Sequence, residues 1–157
     1  MLSQNMQLSP NFTLERLTRS DVAQRRNIDN TPPEDTVENL QQLARGLEQV
    51  QALLGRTIEI SSAYRCPQLN AAVGGAPSSQ HVQGLAADFV CPDFGTPLEI
   101  ALAIGRSDIT YDQCILEYGD WIHISFSGAP RGRLLTIHDA KQGYLAGLWD
   151  REGKRIA

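Results

Sequence analysis

The sequence predicts an α+β fold, with N-terminal helices packed on a small, mostly antiparallel sheet. The longest helical periodicity lies in the first third of the chain, at residues 34–54. Short segments rich in β-branched or alternating apolar residues follow it, and a Gly119-Asp120 turn joins two of them as a hairpin. Helices that precede a run of strands are typical of the α+β class. A length of 157 residues fits one domain, so a single domain spanning 1–157 is expected.

The clearest helix is predicted over residues 34–54, because apolar residues recur there at every third or fourth position. These residues are Val37, Leu40, Leu43, Leu47, Val50 and Leu54. Gly55 suits the left-handed residue that often ends a helix. Upstream, residues 9–30 predict one or two short helical turns, with Thr13 and Ser20 as N-caps.

The remaining elements are short. Shorter helices are predicted over 67–73 and 97–104, each opened by a proline, and strands over 57–61, 86–90, 113–118 and 121–126. The motif-bearing core is therefore about 34–127. The tail, 128–157, is left unassigned apart from one or two strands around residues 134–137.

Composition excludes two classes of partner. The chain carries 14 basic and 18 acidic side chains, a net charge of −4, so nucleic acid is not expected to bind. No apolar run approaches the roughly 20 residues that a bilayer span needs, so membrane insertion is not expected.

Three widely spaced cysteines predict reduced, buried thiols rather than disulfides: Cys66, Cys91 and Cys114. The oligomeric state is open, with a monomer favoured.

Two histidines lie in dense polar motifs that also contain an aspartate. His81 is expected on a loop that enters the strand holding Asp88. His123 alternates with Trp121 and Ser125 on one face of its strand. Two imidazoles and one carboxylate leave the fourth position of zinc open, which is the arrangement of catalytic zinc. The alternative is that both are structural histidines; His138, outside these motifs, is interpreted as a surface or structural residue.

A long, ordered sequence motif resembles that of a known family. It runs through Ser62-Ala63-Tyr64-Arg65, Asn70, Gly74-Gly75, the SxHxxGxAxD stretch at 79–88 and WxHxS at 121–125. This pattern resembles the D-alanyl-D-alanine carboxypeptidase-like metallopeptidases of the peptidase M15 family, in the branch common in phages and prophages. The resemblance implies a hedgehog/DD-peptidase-like fold. It covers about residues 9–127.

The resemblance also implies roles for individual residues. His81, Asp88 and His123 match the zinc ligands. Arg65 matches an arginine that binds substrate and steadies the oxyanion, a role that suits a guanidinium. Ser79 is expected to bind substrate or the metal-site water, or to stabilise its own loop.

Two residues are candidates for the general base. Family members often carry an acid three residues before the last histidine, which is Asp120 here, although an aspartate beside Gly119 also suits a turn. The phage-type branch carries a glutamate slightly earlier, which is Glu117. A carboxylate in the otherwise apolar strand that holds Glu117 needs a reason to be there.

The implied activity is zinc-dependent hydrolysis of peptidoglycan stem peptides or crosslinks at bonds involving D-amino acids, as a carboxypeptidase or an endopeptidase. A catalytically inactive zinc-binding module and a phage structural protein on the same fold are the alternatives. Residues 1–7 lack the basic and apolar regions of a signal peptide, so synthesis in the cytoplasm is expected. Such an enzyme would reach the wall after lysis or pore formation, as a phage endolysin or virion component.

Overall fold

Helices pack on one face of a six-stranded sheet in the computed structural model, which describes residues 3–157. Met1 and Leu2, the start of the segment considered for a signal peptide, lie outside the described residues. The helices are α1 (Leu14–Thr18), α2 (Asp21–Arg25), α3 (Val37–Leu54), α4 (Pro67–Ala72), α5 (Gln80–Gln83) and α6 (Pro97–Gly105). The strands are β1 (Gln7–Ser9), β2 (Phe12–Thr13), β3 (Glu59–Ser62), β4 (Ala86–Val90), β5 (Gln113–Glu117), β6 (Trp121–Ser125), β7 (Arg133–Ile137) and β8 (Tyr144–Ala146). This confirms the α+β class.

The helix predicted over 34–54 forms as expected, with one 3-10 turn, Glu34–Thr36, leading into α3. Gly55 ends α3 in the left-handed conformation, with φ of 66°. The predicted apolar stripe of α3 enters the core, which also contains α6 and one face of the sheet. At Gly46, an added Cβ would clash with the Phe126 ring, so this ring packs directly against the backbone of α3. Among residues 3–157, no helix combines the length and apolar character that a membrane span requires.

The strand order of the large sheet is β3-β4-β6-β5-β7-β8. All neighbouring strands are antiparallel except β5 and β7, which run parallel. The mostly antiparallel sheet and the β5–β6 hairpin are therefore confirmed. All three cysteines are free and buried, also as expected.

The pairing register divides the sheet into two chemically different faces, because residues directly opposite each other point the same way. One face carries side chains that the helices bury: Ala87, Phe89, Cys114, Leu116, Ile122 and Ile124. The opposite face carries Asp88, His123 and Glu117. A second, smaller apolar cluster lies on this polar face and consists of Ile115, Leu135 and Ile137, with Tyr118 packed against it.

One detail of the sequence interpretation is wrong: His81 does not lie on a loop, because residues 80–83 form the single helical turn α5. The two short N-terminal helices are confirmed as α1 and α2, and the small hairpin β1–β2 precedes them. The strand expected around residues 134–137 is confirmed as β7, which pairs with β5, and β8 extends the sheet to its edge.

Candidate metal centre and active-site cleft

Three potential metal ligands converge on the polar face of the sheet. One ligand atom from each of His81, Asp88 and His123 lies within 4.8 Å of the other two. Asp88 Oδ1 is 3.2 Å from His81 Nε2 and 2.9 Å from His123 Nδ1. Asp88 and His123 are direct partners across β4 and β6, so their proximity follows from the register alone. His81 comes from outside the sheet, on α5.

The ring of His81 is held in one orientation. Its Nδ1 lies 2.6 Å from the carbonyl oxygen of Ala63. A carbonyl only accepts, so Nδ1 carries the proton and Nε2 keeps its lone pair toward Asp88. The Oγ of Ser79 caps α5 by accepting from the backbone N–H of His81 at 3.2 Å. The backbone N–H of Arg65 donates to the His81 carbonyl at 3.1 Å, so the turn is fixed from two further directions.

Asp88 has the protonation state that a metal ligand needs. Burial acts to raise the pKa of Asp88, but the hydrogen bond from His123 and the proximity of His81 outweigh it and hold the pKa well below the usual carboxyl range. Asp88 is therefore an ionised carboxylate beside two imidazole nitrogens. This donor set fits a zinc ion with an open coordination position.

The two candidates for the general base occupy different environments. Glu117 Oε1 lies 3.6 Å from His123 Nδ1, and the Glu117 side chain is only 16% exposed. Burial raises the pKa of Glu117, and the charge of His123 opposes that effect. The Asp120 carboxylate is 65% exposed and faces Arg151 at 3.5 Å. The structure therefore brings Glu117, and not Asp120, to the three ligands.

Arg65 lines the same cleft as the three ligands. Burial lowers the pKa of its guanidinium, while the charges of Asp88 and Glu117 raise it. Its Nε is buried and has no hydrogen-bond partner within residues 3–157. A half-buried guanidinium with an unused donor beside the ligands is suited to bind an oxygen of a substrate.

A cleft of about 770 Å³ surrounds these groups. Arg65 and Ser79, the two residues predicted to bind substrate, both line it. The lining residues that the sequence interpretation did not consider include Gln80, Gln113, Ile115, Arg131 and Tyr144. Gln113 and Ile115 could have been found, because they alternate with Glu117 along one strand. Arg131 and Tyr144 belong to the tail, where no sequence pattern indicates that they line the cleft.

Asp112 ties the tail to the ligand-bearing turn. Its buried carboxylate accepts from Arg131 Nε at 2.9 Å and Nη2 at 2.8 Å, and from the Arg131 backbone N–H at 2.9 Å. It also accepts from Gln80 Nε2 at 2.9 Å. Gln80 directly precedes His81, so one buried acid connects the segment before β7 with α5. The hydrogen bond from Arg131 is the largest of the influences that hold the pKa of Asp112 well below its usual range.

An α+β chain with two histidines and one carboxylate in an open cleft has the site of a metal-dependent hydrolase. A family model described as Peptidase M15 matches residues 10–125, about three-quarters of the chain. The chain therefore belongs to the peptidase M15 family and is a peptidase. The match includes every ligand and both candidate bases, while Arg131 and Tyr144 lie beyond it. A comparison with curated proteins finds no matching sequence.

Replacing Asp112 with asparagine is expected to lower the free energy of unfolding by about 2 kcal/mol at pH 7, because hydrogen bonds to a buried charge are lost. The folded-state pKa lies below the unfolded value of about 3.9, so the stabilisation is complete above about pH 5 and disappears as the pH falls further. Denaturant unfolding of both proteins between pH 7 and pH 3 measures this. The exposed Asp108→Asn variant is the matched control, and a difference for Asp112→Asn that is absent or constant with pH would contradict the role of this carboxylate.

Proposed function

We propose that the chain is a zinc-dependent peptidase that hydrolyses peptidoglycan stem peptides or crosslinks at bonds involving D-amino acids. The observation that carries the proposal is the convergence of His81, Asp88 and His123 beside a buried Glu117. Membership of the peptidase M15 family supports a substrate of the peptidoglycan type. The cleft has a volume of about 770 Å³, which is large enough for part of a peptide.

His81 Nε2, an Asp88 oxygen and His123 Nδ1 are the proposed zinc ligands. The chemistry that such an ion supplies is Lewis-acid polarisation of water and of the scissile carbonyl. The protein contributes orientation: Ala63 fixes the tautomer of His81, and the β4–β6 register fixes the other two ligands.

Glu117 is the proposed general base. Its carboxylate takes a proton from the attacking water and passes that proton to the leaving amine nitrogen. The raised pKa that burial gives Glu117 brings it closer to the pH at which the enzyme would work. Its position on β5, two residue pairs along from Ile115 and His123 and so on the same face, puts it beside the ligands without displacing any of them.

Arg65 is proposed to stabilise the oxyanion that forms as the carbonyl carbon becomes tetrahedral, or to bind a substrate carboxylate. A guanidinium in a water-poor wall suits both tasks, since it offers several donors in one plane. Ser79 is proposed to support His81 through its cap and to present its hydroxyl to substrate at the cleft wall. The proposed setting, a phage lysis enzyme or virion component, has its support in the resemblance to the phage branch.

Metal-loaded protein is expected to release peptide fragments from purified peptidoglycan, as read by mass spectrometry. His81→Ala and chelator-treated protein should release none, because both remove the metal. The fragment masses identify the bond that is cut. A protein that holds one zinc ion and leaves peptidoglycan intact would favour an inactive zinc-binding module, while one that co-purifies with phage particles and is indifferent to chelators would favour a structural role.

Glu117→Gln is expected to lower kcat by roughly 10²- to 10⁴-fold, the usual contribution of a general base, with zinc content unchanged. Asp120→Asn is the matched control and should leave kcat essentially unchanged, because its carboxylate faces solvent and Arg151. Steady-state hydrolysis of a stem peptide, with metal content measured for each variant, makes the comparison. A loss confined to Asp120→Asn would reverse the assignment of the base.

A further inference from the structure

Three aromatic side chains gather at the Glu117 end of the cleft, and the tail supplies one of them. Tyr118, Trp121 and Tyr144 all line the cleft with Glu117. The Tyr118 and Trp121 rings lie 5.5 Å apart between centroids and are tilted by 56°, so they present faces at an angle. Tyr144 is 59% exposed, although it is a large side chain on a sheet. An exposed ring at the mouth of a cleft is available for a ligand.

The sheet register explains why these rings share one place. Glu117 is opposite Trp121 on one side and Ile137 on the other, and Ile137 is opposite Tyr144. One row of side chains therefore crosses four strands on the polar face. Neighbouring strands are about 4.8 Å apart, so Tyr144 lies about 10 Å from Glu117 along this row, the length of about three extended residues.

Tyr118 is brought to the same face by its backbone. The residue after Glu117 would point to the opposite face if the strand continued, but Tyr118 has φ of 57°, in the left-handed region. Its ring returns over the polar face and packs on the small apolar cluster. Arg151, from the tail, donates to the Tyr118 carbonyl and faces the Asp120 carboxylate, which holds this turn in place.

The aromatic rings, rather than a charged group, are what this end of the cleft offers to a ligand. Arg65 lines the cleft, and its charge is offset by those of Asp88 and Glu117. Arg131 also lines the cleft, but Asp112 pairs with its guanidinium through two hydrogen bonds. Asp88 is a proposed metal ligand and Glu117 is the proposed base, so neither carboxylate is assigned to the ligand. Several ring faces beside a small apolar cluster suit an aliphatic stem that ends in an ammonium group, because aromatic faces attract cations.

We infer that the aromatic end of the cleft is a specificity subsite for a substrate side chain with an aliphatic stem and a terminal ammonium group, such as lysine or another diamino acid. The inference rests on the proposed peptidase function, which it deepens. The stem lies on Ile115 and the apolar cluster, and the ammonium lies against the faces of Tyr118 and Tyr144. Tyr144 lies beyond the part of the chain that the family match covers, so a residue of the tail completes this subsite.

The test uses the zinc-loaded full chain and three synthetic stem pentapeptides, L-alanyl-γ-D-glutamyl-X-D-alanyl-D-alanine, in which X is lysine, norleucine or alanine. Lysine and norleucine have the same stem length, so their comparison isolates the ammonium. The wild-type enzyme should have a KM about tenfold lower for the lysine peptide than for norleucine, in line with a partly desolvated cation–π contact. Tyr144→Ala should lose that preference, and Tyr144→Phe should keep it because the ring face remains.

Phe94→Ala is the control, since Phe94 is an exposed aromatic residue that does not line the cleft, and it should keep the preference. Zinc content and thermal unfolding of each variant show that it is folded. Equal KM values for lysine and norleucine in the wild-type enzyme, or an undiminished preference in Tyr144→Ala, would overturn the subsite alone. A zinc-loaded wild-type protein that cleaves none of the peptides would overturn the peptidase proposal and the subsite with it.

Discussion

The pairing of β4 with β6 is the constraint on which the site depends. Asp88 and His123 are opposite each other in that pairing, and their side chains meet at 2.9 Å on the polar face. A slip of one residue would move one partner to the other face, where the helices bury Phe89 and Ile122. Packing of that apolar face therefore fixes the register, and the register fixes two of the three ligands. Packing of the hydrophobic core therefore determines the geometry of the metal centre.

The third ligand is attached by a different kind of interaction. α5 is a single turn, too short to be stable alone, and it is held by hydrogen bonds to its neighbours. Ala63 binds the ring of His81, Ser79 caps the turn, and Asp112 holds Gln80. A short, polar element anchored at several points can be oriented precisely enough for metal binding without belonging to the core. The same buried acid joins the turn to Arg131, so the tail takes part in holding the ligand that lies farthest from it in sequence.

Sequence patterns predicted the parts of this architecture that are local. Alternation along residues 121–125 and the apolar period of 34–54 fix which side chains face the core, and Thr13 and Ser20 form the caps that their positions suggested. The α5 turn was missed because four residues are too few for a helical period. The choice between Glu117 and Asp120 depends on which way a turn residue points, and spacing does not contain that information. The parallel pairing of β7 with β5 is a non-local contact, so the sequence of the tail does not indicate that Tyr144 lines the cleft.

Calorimetric titration of zinc into metal-free protein tests the central claim, that register and core packing assemble a three-ligand metal site. The wild-type chain should bind one ion per molecule, and Asp88→Asn should lose most of that affinity while circular dichroism shows that it remains folded. The variant loses the charged oxygen that Asp88 contributes, but it leaves the strand pairing in place. A wild-type chain that binds no zinc, or an Asp88→Asn chain that binds it equally well, would contradict the account.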